Sequence, residues 1–197
     1  MKEPFFYRTV RPILAGLFKV IYRPQYEGTE NIPKDGKIIL AGNHTNFFDC
    51  VLVGTSTKRC VHFLAKKELM KGIGKQIFTG FGIIPVDRSS ASSGAQAVNT
   101  CKKYLDDNKL IAIFPEGTIN RTDDIMMPFK GGAVKIAFDS STKIVPFAIN
   151  GKYEPFKKSV KIKFMPPIEV ERGSLKAANQ ELYQTVRTEL ENYVKEV

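Results

Sequence analysis

The chain has 197 residues, 43% of them hydrophobic and 25% charged, with 30 Lys and Arg against 20 Asp and Glu. That length and balance fit one globular domain with a sizeable core and argue against disorder. The net charge of +10 calls for an anionic partner, whether nucleic acid, an anionic membrane surface or a phosphorylated substrate.

The first element is an amphipathic helix over residues 4–23. Phe6, Val10, Ile13, Leu17, Val20 and Ile21 fall on one side of a 3.6-residue wheel, and Arg8, Arg11, Lys19 and Arg23 on the other, with Ala15 between them. Pro4 suits a first helical turn, and Pro12 should kink the helix or divide it. Residues 1–25 carry five Lys/Arg and one Glu. A basic face opposite an apolar one predicts a helix lying on an anionic lipid surface, or one packing that apolar face on the domain; both can hold together. Residues 1–25 are read as this membrane-surface segment and 26–197 as the main domain.

From residue 37 the period changes. β-rich runs occur at Lys37–Ala41, Val61–Ala65, Leu110–Phe114, Ile144–Ile149 and Ser159–Phe164. Helices are expected between and after them, at 47–57, 67–81, 91–107, 131–140 and 174–195. The last sets Leu175, Leu182, Val186, Leu190 and Tyr193 at helical spacing. Such alternation predicts an α/β fold: one domain with a largely parallel or mixed central sheet flanked by helices. No apolar run reaches the roughly 18–20 residues that cross a bilayer, and no cleavable leader is evident. The expected location is therefore the cytoplasmic face of a membrane, peripheral or monotopic. Cys50, Cys60 and Cys101 are widely spaced, which argues against a disulfide framework. With only His44 and His62 as histidines, no metal site is expected.

Sites in such folds collect beyond the carboxyl ends of strands, and two polar clusters fall there. The first is Asn43-His44-Thr45-Asn46-Phe47-Phe48-Asp49. Five residues apart, His44 and Asp49 would lie about 140° apart on a regular helix. They can meet only if His44 is in the loop and Asp49 in the first turn. With Asn46 as N-cap, Asp49 would take the third helical position and reach back to the loop. A carboxylate-held histidine is equipped to act as a general base. The same spacing also suits a capping box beside a loop histidine.

The second cluster is Phe114-Pro115-Glu116-Gly117-Thr118. It is preceded by Gly82-Ile83-Ile84-Pro85-Val86-Asp87-Arg88 and followed by Pro128-Phe129-Lys130-Gly131-Gly132-Ala133 and Ile144-Val145-Pro146-Phe147. In this order and spacing the segments resemble the glycerolipid acyltransferase family typified by 1-acylglycerol-3-phosphate O-acyltransferase, across about residues 26–150. The resemblance implies transfer of a fatty acyl group from acyl-CoA or acyl carrier protein, as cosubstrate rather than cofactor, to a lysophosphatidate hydroxyl. It implies His44 as catalytic base and Asp49 as its orienting carboxylate. Arg88, Glu116, Gly117 and Thr118 would hold the acceptor phosphate, with Glu116 orienting Arg88, a lysine or an acceptor hydroxyl.

One departure stands out. The family's E-G-T segment is usually followed by arginine, and this chain has Ile119. Arg121 or Lys130 would fill the gap, or the acceptor is another lysophospholipid or glycerol-3-phosphate. Lys67, in Ala65-Lys66-Lys67-Glu68-Leu69, matches a basic segment that often flanks the phosphate site. Between Thr55 and Lys75 six basic residues face one acidic, a patch suited to a bilayer, a phosphate or an acidic carrier protein. A catalytically inactive basic membrane-binding module would explain the charge but not the intact His44 and Asp49. Nucleic acid would also explain the charge, but no motif of that kind is present.

Overall fold

The computed structural model describes residues 5–66, 82–86, 91–170 and 173–196. The helix expected at 67–81, together with Lys67 and Arg88, lies outside the described residues, as does the side chain of Lys66. Within them five helices are described: α1 (Phe5–Tyr22), α2 (Asp49–Thr55), α3 (Ala91–Asp106), α4 (Gly132–Asp139) and α5 (Leu175–Glu196). Seven strands are β1 (Gln25–Glu27), β2 (Ile38–Gly42), β3 (Val61–Lys66), β4 (Ile84–Val86), β5 (Leu110–Ile113), β6 (Ile144–Gly151) and β7 (Val160–Phe164).

The strands form one sheet in the order β1-β7-β6-β2-β5-β3-β4, parallel at every pairing except the antiparallel β6–β7. Its centre is β2, every residue of which is buried. Alternation divides the strand between two layers. Ile38 and Leu40 face the side covered by α1 and α2, while Ile39 and Ala41 face the core shared with α3, α4 and α5. On α5, Leu182, Val186 and Leu190 are fully or almost fully buried, as their spacing predicted.

Two expectations about helices change. Of the kink or division expected at Pro12, division does not occur, since α1 runs unbroken through it. Pro12 is solvent-exposed, and α1 is held to the domain on either side of it by buried Tyr7, Ala15 and Phe18. Arg11 does not join the solvent-facing cations. Its guanidinium donates to the carbonyls of Gly54 and Thr57 at the end of α2, where a cation also meets the negative pole of the helix. The apolar stripe stays outside, with Ile13 70%, Leu17 55% and Val20 64% exposed. Packing of that stripe on the domain holds only in part, at half-buried Val10 and Ile21.

Candidate active site

Three neighbouring parallel strands, β5, β2 and β6, end on the same side of the sheet. The segments that follow them build the site. β2 and β6 run unusually close at the end. A Cβ on Gly42 would lie 2.1 Å from the carbonyl oxygen of Phe147 and against its ring, so only glycine fits. The next residue continues the pairing with its side chain. The Asn43 amide donates to the Ile149 carbonyl at 2.9 Å, and its oxygen accepts the Ile149 N–H at 2.8 Å. This fixes where His44 leaves the sheet.

The loop then folds around Asp49. Helix α2 begins at Asp49 itself, with Phe48 preceding it, so the expected cap at Asn46 is corrected. The Asn46 side chain instead accepts the Phe48 N–H in a tight Asx turn. Asp49 is fully buried and still reaches back as the sequence suggested. Its Oδ2 accepts the N–H groups of Thr45 at 2.6 Å and Asn46 at 2.8 Å, and lies 2.8 Å from His44 Nδ1. Its Oδ1 accepts the Tyr153 hydroxyl at 2.6 Å and the Thr45 hydroxyl at 3.2 Å. A buried carboxylate needs this many donors to remain charged away from water.

Because Asp49 can only accept, His44 carries its proton on Nδ1 when neutral. Nε2 then lies on the opposite ring edge, free to take a proton. The imidazole stacks on Phe114, with centroids 4.0 Å apart and planes 14° apart. The first residue of the F-P-E-G-T segment is thus a shelf for the ring.

The described partners of Glu116 are backbone N–H groups, while Arg88, which the resemblance has it orient, lies outside the described residues. Its Oε1 accepts the His44 N–H at 2.6 Å and its Oε2 the Met127 N–H at 2.9 Å. It is buried, and desolvation raises its pKa above the ordinary carboxylate range against the pull of those two bonds. Both oxygens are engaged by backbone, so its described partners brace the His44 loop against the loop after β5. The Asn120 N–H to the His44 carbonyl, 2.8 Å, completes that brace.

Gly117 adopts φ +77°, and its α-carbon passes beneath Lys130, whose Nζ would lie 2.7 Å from an added Cβ. Lys130 is itself placed by its N–H to the Pro115 carbonyl, 2.9 Å. Thr118 and Arg121 are both exposed on the same loop system. The structure therefore brings together His44, Asp49, Glu116, Gly117, Thr118 and Lys130. Arg121 lies on an exposed stretch of the adjoining loop.

His44 stands at a cavity of about 560 Å³, mostly apolar, that runs between α1, α2 and the sheet. Tyr7, Arg11 and Leu14 of α1 close one side, Val51 of α2 another, and Phe63 and Phe114 line its floor. Gly117, Thr118 and Ile119 border it near the histidine. Cys50 also lines it, but burial, reinforced by Asp49, pushes its thiol up to about 12. It is protonated at neutral pH and unsuited to act as a nucleophile.

Sequence reasoning missed Tyr153, Thr45 and Phe114. All three carried the same signal, since each follows a strand's carboxyl end, as His44 and Glu116 do.

The Acyltransferase family model matches residues 23–150. The 1-acyl-sn-glycerol-3-phosphate acyltransferase of Borreliella burgdorferi is 35% identical over 135 residues, covering 68% of this chain and 53% of that protein. The enzyme of the same name from Bacillus subtilis is 34% identical over 135 residues, covering 66% and 65%. The chain thus spans between about half and two thirds of the length of these relatives. The crystal structure of the 1-acyl-sn-glycerophosphate acyltransferase PlsC from Thermotoga maritima superposes with a TM-score of 0.73 at 21% identity, covering 94% of this chain and 82% of that one. With the family model covering the sheet from β1 into β6 and both loops that meet at His44, the chain belongs to the Acyltransferase family.

Proposed function

We propose that this protein transfers a fatty acyl group from an acyl thioester, acyl-CoA or acyl carrier protein, to the free hydroxyl of 1-acylglycerol-3-phosphate, giving phosphatidate. His44 Nε2 removes the proton from the acceptor hydroxyl as its oxygen attacks the thioester carbonyl. The tetrahedral intermediate expels the thiolate, which takes the proton from the imidazolium to leave as free thiol. Asp49 holds the tautomer and stabilises the imidazolium. Proton transfer contributes about 10²–10⁴-fold, so positioning and oxyanion stabilisation supply the rest. Arg88, Lys67, Thr118, Lys130 and Arg121 are the proposed phosphate contacts, with Gly117 allowing close backbone approach.

The observation that carries the reading is the 2.8 Å His44–Asp49 pair opening onto an apolar cavity suited to an acyl chain. The chain works at an anionic lipid surface on the cytoplasmic face, through the exposed stripe of α1. With purified protein, labelled acyl donor and lysophosphatidate, transfer should be detected, and His44→Ala should lower kcat by orders of magnitude. Full activity in that variant would overturn the mechanism. Ile119 borders the cavity where arginine is usual, which favours a second reading in which the acceptor carries another headgroup. A side-by-side acceptor panel separates the two.

A further inference from the structure

Resting on the membrane reading above, we infer that the connection between β6 and β7 is a second membrane-inserting element, with Phe156 as its wedge into an anionic bilayer. Phe156 is 64% exposed and its backbone is held at φ +63°. An exposed aromatic ring gains nothing from the core, and a left-handed backbone is unfavourable for a bulky side chain. Folding alone would favour glycine or asparagine here. The residue type is explained if the ring has a use outside the fold.

The connection is also placed where a bilayer would be. The Phe156 N–H donates to the Ile21 carbonyl, one helical turn beyond exposed Leu17 on the apolar side of α1. Its root is fixed, since the Tyr153 ring packs on Phe18 and Tyr22 of α1, with centroids 6.2 and 5.8 Å apart. Phe48 packs on the same rings, and its neighbour Phe47, 71% exposed, stands at the cavity wall. Apolar side chains from three elements thus ring one aromatic cluster. The charge fits the same occupant. Exposed Lys152, Lys157 and Lys158 flank Phe156, with Glu154, paired to Lys157, as the acid among residues 152–158. A wedge bordered by lysines suits acyl chains beneath anionic headgroups.

The chain contains no tryptophan, so Phe156→Trp installs a sole indole at the wedge, and Leu17→Trp provides one on α1. Vesicles of phosphatidylglycerol and phosphatidylcholine should shift the emission of both variants to the blue, and brominated acyl chains should quench both. A response from Leu17→Trp without one from Phe156→Trp overturns this inference and leaves the helix reading standing. Silence from both overturns the two together. Emission that answers an acidic carrier protein and not vesicles also overturns it, marking the connection as a protein-docking loop. As a second measurement, Phe156→Ser should weaken vesicle binding about tenfold while leaving turnover of a water-soluble short-chain acceptor unchanged. Unaltered vesicle binding in that variant would refute the wedge.

Discussion

Five polar hydrogens converge on the Asp49 carboxylate, and the one that comes from farthest along the chain is the Tyr153 hydroxyl. Burial, and then the Asp49 charge, push that hydroxyl far above the ordinary tyrosine range, so it remains a donor at every working pH. Tyr153→Phe keeps the ring in its aromatic cluster and removes one bond to a charged acceptor, worth about 1.5–3 kcal/mol. We expect kcat to fall about tenfold with KM for both substrates nearly unchanged. The imidazole N–H resonance of His44 should also move, which is readable because His62 is the chain's other histidine. A variant whose only change is a lower Tm would make Tyr153 a packing residue. The spacing of His44 and Asp49 within one seven-residue segment allowed their pairing and equally a capping box, and the family resemblance decided between them. The sequence did not carry the Tyr153 bond, which spans 104 residues and depends on β6 lying beside β2. Nor did it carry the backbone role of Glu116, since main-chain donors leave no mark on residue type.

At the scale of the element, α1 has two faces with different work. Its spacing revealed the apolar stripe of Ile13, Leu17 and Val20, which stays exposed. The docking stripe of Tyr7, Arg11, Ala15, Phe18 and Tyr22 was obscured because it mixes a cation and hydroxyls with apolar groups. Arg11 and Tyr7 are satisfied, the first by the α2 carbonyls, while the Tyr7 hydroxyl donates to the Arg59 carbonyl at 2.8 Å and accepts from the Val61 N–H. Burial pushes that hydroxyl up to about 12 from an unfolded value of 10.0. The fold thus favours the neutral form. Its contribution is intact below pH 10 and is lost as pH climbs through 12, a gap worth about 2–3 kcal/mol. Denaturant titrations at pH 9 and pH 12 should show a smaller alkaline loss of stability in Tyr7→Phe than in the parent. Equal losses would mean the hydroxyl ionises without consequence for the helix. The strands β1 and β4 escaped notice because three residues are too few to show an alternation.

For the whole molecule, the α/β alternation and the placement of the site at strand carboxyl ends were legible, because both follow from local pattern. The order of strands was not. Nothing in a linear pattern puts β6 and β5 on either side of β2, or reverses β7 against β6. The excess of ten positive charges acts at this scale too. Screening contracts from about 10 Å at 0.1 M salt to about 3 Å at 1 M. Association with anionic vesicles should therefore weaken steeply over that range, while association driven by the apolar stripe alone would hardly change. Co-sedimentation at several salt concentrations distinguishes them.

The arrangement of α1 has one more consequence. The helix that presents Ile13, Leu17 and Val20 outward also contributes Tyr7, Arg11 and Leu14 to the cavity wall. If that stripe lies in a bilayer, as proposed, a hydrocarbon tail passing sideways beneath the helix would leave one oily environment for another without a hydrated interval. Each methylene that avoids water is spared about 0.8 kcal/mol, so for long tails lateral entry would lower the barrier by several times the thermal energy.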